Sequence, residues 1–188
     1  MAPAVLALHL QEEVRTSVRL VERGLAELQS IDEVNDQYFP AALLLSTGLE
    51  RLMKCILCYR SRVVSGRYPS PSEIKAFGHD LERLRDGVAT GCFDESYRQG
   101  RQVADADASF LASDTHLRAL LTALTRFATS GRYYSLDVVL GRPPAMEAPE
   151  LEWQRIETAL VLERPNLKKM IGEPGAGREL YTSLVGEL

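Results

Sequence analysis

Three charged residues interrupt an otherwise apolar stretch of the chain: Glu50, Arg51 and Lys54. Glu50 precedes Lys54 by four residues, which is the order that favours an ion pair along one face of a helix. A charge buried without a partner is strongly unfavourable, so these side chains either pair with one another or face a cleft. Structural pairing is the commoner reason for such an arrangement. The alternative makes Glu50 and Lys54 candidate binding residues.

His79 and Asp80 form a second group with chemical potential. Helical metal-dependent phosphohydrolases use a histidine–aspartate pair, but they also need His and Asp ligands from neighbouring helices. This chain has two other histidines, His9 and His116, and His9 falls in a helix expected to face the core. The simpler interpretation is that Asp80 caps a helix while His79 packs against its neighbour. We therefore predict no metal site and no cofactor.

Arg132, Tyr133 and Tyr134 join a cation to two aromatic rings at an irregular junction. Such a set can stack on bases and hold phosphates. It can equally plug the end of a helical bundle, with each phenol hydrogen-bonded to backbone. The plug is the interpretation we favour, and Tyr133 and Tyr134 remain candidate binding residues.

Two further patterns carry less chemical meaning. Cys55 and Cys58 have the spacing of redox and metal motifs, but they lie several turns inside a predicted helix, and only Cys92 remains as a third thiol. A reactive thiolate is expected at a helix N-terminus instead, so these are predicted to be core cysteines. The glycine-rich stretch 172–178 follows no predicted strand and lacks a Gly-Lys-Ser/Thr ending, so neither nucleotide-binding fingerprint is met.

Long amphipathic helices must position these residues. Hydrophobic periodicity predicts helices over residues 4–29, 39–62, 80–88, 108–130 and 150–163, with the stretch from Gly87 to Gly91 ending the third. The first two turns of the helix at 39–62 are apolar all round, so protein must surround them. No run alternates over the length of a strand. The predicted fold class is an all-α antiparallel helical bundle, with residues 1–164 as a single domain and 165–188 as a short helical C-terminal extension.

Composition limits the class of protein further. The chain has 188 residues, of which 45% are hydrophobic and 26% are charged, and this balance is typical of a globular domain. The net charge of −4 does not favour binding of a polyanion by the molecule as a whole, although a local basic patch would suffice. No window is long and apolar enough to cross a membrane, and the start lacks the basic region of a signal peptide. Together with three cysteines, these features predict a reduced cytoplasmic protein without membrane contact.

The order of these motifs resembles bacterial HEPN-like helical proteins. The resemblance covers residues 38–137 and rests on the segment 45–54, on Tyr68-Pro69, on 78–84 and on 132–134. It implies a helical bundle that commonly forms homodimers. Many members are metal-independent ribonucleases of toxin–antitoxin, phage-defence and CRISPR systems, and others are inactive modules that bind RNA or protein.

The ribonuclease branch of that family depends on an arginine followed, after four to six residues, by a histidine. The residues at that spacing before His79 are 72–74, those before His116 are 109–111, and neither window contains arginine. By resemblance, any residual activity would use a composite site, with His79 as the acid/base and with Arg51 and Arg132 holding phosphate.

The sequence therefore predicts a non-catalytic HEPN-like module that is homodimeric and binds a protein partner or RNA within a bacterial toxin–antitoxin, stress or defence system. The first alternative is a metal-independent ribonuclease that uses the composite site. The second is a metal-dependent phosphohydrolase centred on the His79-Asp80 pair.

Overall fold

The computed structural model describes residues 2–31, 37–94, 97, 99, 102–143 and 147–163, and these residues are helical apart from short connections. This confirms the predicted all-α class, since the described residues include no strand. The helices are α1 (Pro3–Gln29), α2 (Tyr38–Ser65), α3 (Pro71–Lys75), α4 (Leu81–Cys92), α5 (Gln102–Ser113), α6 (Thr115–Thr129), α7 (Tyr134–Val139) and α8 (Pro149–Leu162). A 3₁₀ turn at Gly131–Tyr133 joins α6 to α7. The predicted extension 165–188 and the glycine-rich stretch 172–178 lie outside the described residues.

Helices α1 and α2 pack closely because small residues line the seam between them. A Cβ atom added at Gly48 would lie 2.9 Å from the backbone nitrogen of Val21, and one added at Gly24 would lie 3.0 Å from that of Leu45. Residue numbers rise along one helix as they fall along the other at these contacts, so the two helices run antiparallel. The close approach expected from Gly48 is therefore present, and α1 is its source.

Helix α2 forms the centre of the structure and packs against α1, α4, α6 and α8. Its early residues Ala41, Ala42 and Leu45 are buried, as expected for a helix that begins without a polar face. One hydrophobic core cluster is formed by buried side chains of α2, α4 and α6, which include Leu45, Met53, Leu81, Leu84, Leu121, Leu124 and Phe127.

The predicted helix over 108–130 is wrong as a single element. The chain leaves the helical conformation at Asp114, whose backbone has φ −67° and ψ 122°, and a new helix starts at Thr115. The Asp114 carboxylate accepts a hydrogen bond from the backbone N–H of Leu117 at 2.7 Å. This cap satisfies one of the free N–H groups at the start of α6, and the apolar stripe alone does not reveal such a break.

The start of α4 agrees with the sequence, and its end does not. Asp80 is the N-cap, and its side chain accepts a hydrogen bond from the backbone N–H of Arg83 at 3.0 Å, as predicted. The prediction that the glycines at 87 and 91 end this helix is wrong, because α4 continues to Cys92. Gly87 is a packing position, where an added Cβ would lie 3.3 Å from the Phe77 ring.

No helix in the described ranges has the length and apolar character needed to cross a membrane.

Candidate functional site

Helix α2 and the loop before α4 bring three of the predicted residues together. Lys54 Nζ donates to Glu50 Oε1 at 2.6 Å and to the Gly78 carbonyl oxygen at 2.7 Å. His79 Nδ1 lies 2.8 Å from Glu50 Oε2. Because Glu50 and Lys54 are one turn apart on α2, this cluster joins the middle of α2 to the Gly78–His79 loop.

The Glu50 carboxylate is ionised in this setting. Burial alone would raise the pKa of Glu50, but the hydrogen bonds from His79 and Lys54 outweigh burial and lower that pKa below its ordinary value. Both oxygens of the Glu50 carboxylate have a hydrogen-bond partner within the cluster. Glu50 and Lys54 are therefore paired with each other, which is the commoner of the two explanations considered from the sequence.

Arg51 belongs to a different contact, although it follows Glu50 directly in the chain. Its Nε donates to Glu13 Oε1 at 2.6 Å and its Nη2 donates to Glu13 Oε2 at 2.8 Å. This two-pronged ion pair links α2 to α1 and raises the pKa of Arg51. Arg51 therefore links α2 to α1 through this ion pair.

Arg132, Tyr133 and Tyr134 lie where the sequence predicted an irregular junction. Arg132 and Tyr133 belong to the 3₁₀ turn, and Tyr134 begins α7. Arg132 has a buried Nε that lacks a hydrogen-bond partner. Tyr133 is 59% exposed and Tyr134 is half-buried. The prediction that these rings plug the bundle end is wrong for Tyr133, because the chain turns into α7 at this point and leaves that ring in solvent.

The composite site is not assembled by direct contacts. Between described residues, neither a hydrogen bond nor an ion pair connects His79 to Arg51 or to Arg132. Asp80 uses its carboxylate as the cap of α4. In the part of the chain that the structure describes, no three His, Cys, Asp or Glu side chains are grouped as metal ligands.

The cysteines are free thiols with little reactivity. Cys55 is buried in α2, and burial raises its pKa to about 11. Burial also raises the pKa values of Cys58 and Cys92. A thiol with a raised pKa forms little thiolate at neutral pH. The core interpretation is confirmed for Cys55, whereas Cys58 and Cys92 are partly exposed.

The structure also forms an open groove that the sequence did not reveal. It has a volume of about 550 Å³ and lies between the first half of α1, the second half of α2 and the end of α4. Its walls include Leu10 and Val14 of α1, Leu52, Ile56 and Val63 of α2, and Cys92 of α4. We call this feature the α1/α2 groove. Its walls come from three separate parts of the chain, so only the packed structure brings them together.

The edge of the α1/α2 groove combines apolar and polar groups. Arg60 and Asp94 form an ion pair there. Tyr59 and Val63 reach out of α2 with 65% and 63% of their surfaces exposed. Pockets of this size with apolar walls and few polar groups are typical binding sites.

A second apolar surface lies on α7 and on Leu140, the residue that follows it. Leu136, Val138, Val139 and Leu140 are each at least half exposed, and Val139 reaches 81%. We call these four residues the α7 patch. Among the described elements, α7 packs mainly on the 3₁₀ turn before it, so this short helix adds little to the core. Contiguous exposed apolar side chains of this kind mark interaction surfaces.

Comparisons with models of protein families, with curated proteins and with solved structures found no match to this chain.

Proposed function

We propose that this chain is a non-catalytic interaction module whose α1/α2 groove binds an apolar helix of a protein partner. The proposal includes the HEPN-like antiparallel bundle that the motifs of residues 38–137 resemble, together with that family's cytoplasmic setting in a bacterial stress, toxin–antitoxin or defence system. The single observation that carries it is the groove, because it is wide and apolar. The nearby side chains of Glu50, Arg51 and Lys54 form ion pairs within the chain.

A protein partner fits these surfaces better than RNA does. RNA binding needs cations that are free to meet phosphates, and Arg51 and Arg60 are each paired with a carboxylate. The groove walls are mostly apolar, with aliphatic side chains beside Tyr59 and Tyr97. An amphipathic helix that lays its apolar face into such a groove uses a common mode of peptide recognition.

A metal-independent ribonuclease is the second candidate, and one observation favours it. The Glu50 carboxylate holds His79 at Nδ1, while 56% of the His79 side chain is exposed. A carboxylate that orients an imidazole in this way is a feature of catalytic histidines. This candidate lacks one of its two phosphate-binding arginines, since Arg51 is paired with Glu13.

A selection experiment tests the groove. A displayed library of amphipathic helical peptides is selected on the wild-type chain and on two variants, Val63→Glu and Val64→Glu. Val63 lines the groove, whereas its neighbour Val64 does not, and the two are 63% and 65% exposed, so the variants are matched. We expect wild type and Val64→Glu to enrich the same peptides with apolar residues at i, i+3 and i+4, and Val63→Glu to lose them. Failure to enrich any helix, or equal enrichment on Val63→Glu, would overturn the proposal.

A ribonuclease assay separates the two candidates. Labelled RNA is incubated with the wild-type chain and with His79→Ala, each with and without a chelator. We expect intact RNA under all four conditions. Chelator-resistant cleavage that disappears in His79→Ala would establish the ribonuclease in place of the interaction module.

A further inference from the structure

A small cavity lies between the start of α2, the end of α6 and the start of α8, and we call it the aromatic cavity. Four aromatic rings line it, those of Tyr38, Phe39, Phe127 and Trp153. Phe39 meets Phe127 edge to face with ring centroids 5.2 Å apart, and the centroids of Tyr38 and Trp153 are 6.0 Å apart. The volume of the cavity is about 20 Å³, more than the roughly 10–15 Å³ that one water molecule needs. It therefore admits a compact group, and it reaches the surface beside Phe39, which is 45% exposed.

A carboxylate lines the same cavity. Glu152 precedes Trp153 on α8, and 17% of its side chain is exposed. Its Oε1 accepts a hydrogen bond from Arg126 Nη1 at 2.8 Å, and the Arg126 side chain is 59% exposed. A carboxylate has two oxygens with about four lone-pair sites between them. Glu152 can therefore interact with a second cation that enters the cavity.

A second carboxylate lies behind two of the rings. Glu157 Oε1 accepts a hydrogen bond from Trp153 Nε1 at 2.7 Å, and Glu157 Oε2 accepts one from the Tyr38 hydroxyl at 3.4 Å. Both donors are neutral, so they orient the two rings without cancelling the charge of the carboxylate. In these contacts two negative charges thus stand against the one positive charge of Arg126.

Rings and carboxylates together favour one class of ligand. The face of an aromatic ring attracts a cation that lies within about 6 Å of its centroid. A methylated ammonium group suits aromatic walls because its methyl groups are apolar and need no hydrogen-bond partner, while the rings and Glu152 attract its charge. A neutral apolar molecule would gain nothing from the carboxylate, and an anion would be repelled by it. The charge of the site therefore selects an organic cation.

We propose that the aromatic cavity binds a methylated ammonium group, carried by a small molecule or by a methylated lysine side chain. Because the cavity is small, part of the group remains at the opening beside Phe39. The cavity lies at the start of α2, whereas the α1/α2 groove borders Tyr59 and Val63 in the second half of that helix. This inference is therefore independent of the function proposed for the groove.

A titration with choline tests the aromatic cavity directly. Trp153 lines the cavity and is the only tryptophan of the chain, so its fluorescence reports on binding there. The matched ligand is 3,3-dimethyl-1-butanol, which has the shape of choline but no charge, and sodium chloride at equal ionic strength controls for salt. We expect choline to change the fluorescence with a dissociation constant of about 1 mM or lower, which corresponds to about 4 kcal/mol. The alcohol and the salt should give no saturable change.

Two variants separate the carboxylate from the rings. Glu152→Gln keeps the shape of the side chain and removes its charge, so choline should bind about tenfold more weakly. Phe39→Leu stays apolar but removes one ring, and about threefold weaker binding is expected. Glu150→Gln is the matched control, because Glu150 is an exposed acid on the first turn of α8 that does not line the cavity, and it should bind like wild type. Circular dichroism checks each fold, and either wall variant suffices if the other fails to fold.

A peptide with trimethyllysine and its unmodified counterpart distinguish the two sources of the group. Tighter binding of the modified peptide than of choline assigns the cavity to a methylated protein, and the reverse order assigns it to a small molecule. Three results would overturn the inference. They are the absence of saturable binding of both ligands below about 10 mM, equal binding of the neutral alcohol, and choline binding that both Glu152→Gln and Phe39→Leu leave unchanged.

Discussion

At the scale of single residues, the cluster of Glu50, Lys54 and His79 is a clamp between α2 and the loop before α4. Residue type and spacing were enough to predict the Glu50–Lys54 pair. They could not show that His79 joins it, because 29 residues separate His79 from Glu50. The clamp holds a half-buried carboxylate in its ionised form, and the fold therefore depends on that charge.

We expect Glu50→Gln to destabilise the fold by about 1–3 kcal/mol at pH 7, since Lys54 loses its charged partner. The pKa of Glu50 is lower in the folded state than in the unfolded state. Its contribution is therefore fully present above the ordinary carboxyl pKa and is lost as the pH falls through the lower, folded value. Urea unfolding at a series of pH values measures this, and the difference between wild type and variant should shrink in acid.

Glu12→Gln is the control for that experiment, because Glu12 is exposed and its ion pair with Arg15 is long at 3.8 Å. Its effect should stay within about 0.5 kcal/mol at every pH. A Glu50→Gln effect as small as this would show that the clamp contributes nothing to stability.

At the scale of elements, the sequence predicted the long helices and the Asp80 cap of α4, but it missed the end of α4, the break between α5 and α6, and the short helix α7. The hydrophobic periodicity of α1 and α2 was sufficient to predict both as helices, because each buries a long apolar stripe. The break at Asp114 was missed, although an aspartate followed by Thr115 and His116 is an N-cap signal that was available to read. Gly87 was read as a terminator because a sequence cannot distinguish a glycine that ends a helix from one that lets Phe77 approach it.

The seam between α1 and α2 gives a prediction at this scale. Gly48→Ala places a methyl group 2.9 Å from the Val21 backbone, so α1 must shift away from α2. We expect a loss of about 1–3 kcal/mol, which exceeds the helix-propensity gain of about 1 kcal/mol. Gly91→Ala is the matched control, because an added Cβ there meets nothing within 4 Å and should stabilise α4 slightly. Thermal unfolding followed by circular dichroism measures both, and equal stabilisation by the two substitutions would contradict the close seam.

At the scale of the whole molecule, the surfaces open to a partner depend on how the helices are arranged. The α1/α2 groove is formed by α1, α2 and α4 together, so no local pattern in the sequence could predict it. The predicted single domain over 1–164 likewise depends on whether α8 folds together with the rest. In the structure, α8 packs on α2 and α6, where the ring of Trp153 lies 6.0 Å from that of Tyr38.

Trp153 is the only tryptophan of the chain, so it reports on α8. If residues 1–164 form one cooperative unit, unfolding followed by Trp153 fluorescence and by far-ultraviolet circular dichroism should give the same midpoint and slope in urea. A fluorescence transition at lower urea concentration would contradict the single domain and would show that α8 detaches first. Arg126→Ala, which removes the ion pair with Glu152 on α8, tests whether the two curves can be separated.

The pairing of α1 with α2 also controls access to the groove. Among the described elements α1 packs chiefly on α2, and the same stretch of α1 supplies Leu10 and Val14 to the groove and Glu13 to the ion pair with Arg51. Release of α1 would thus open the seam and remove one wall of the groove in a single event. By linkage, any occupant that contacts both helices opposes this release. Slower amide hydrogen exchange along α1 would then report groove occupancy without a label on the partner.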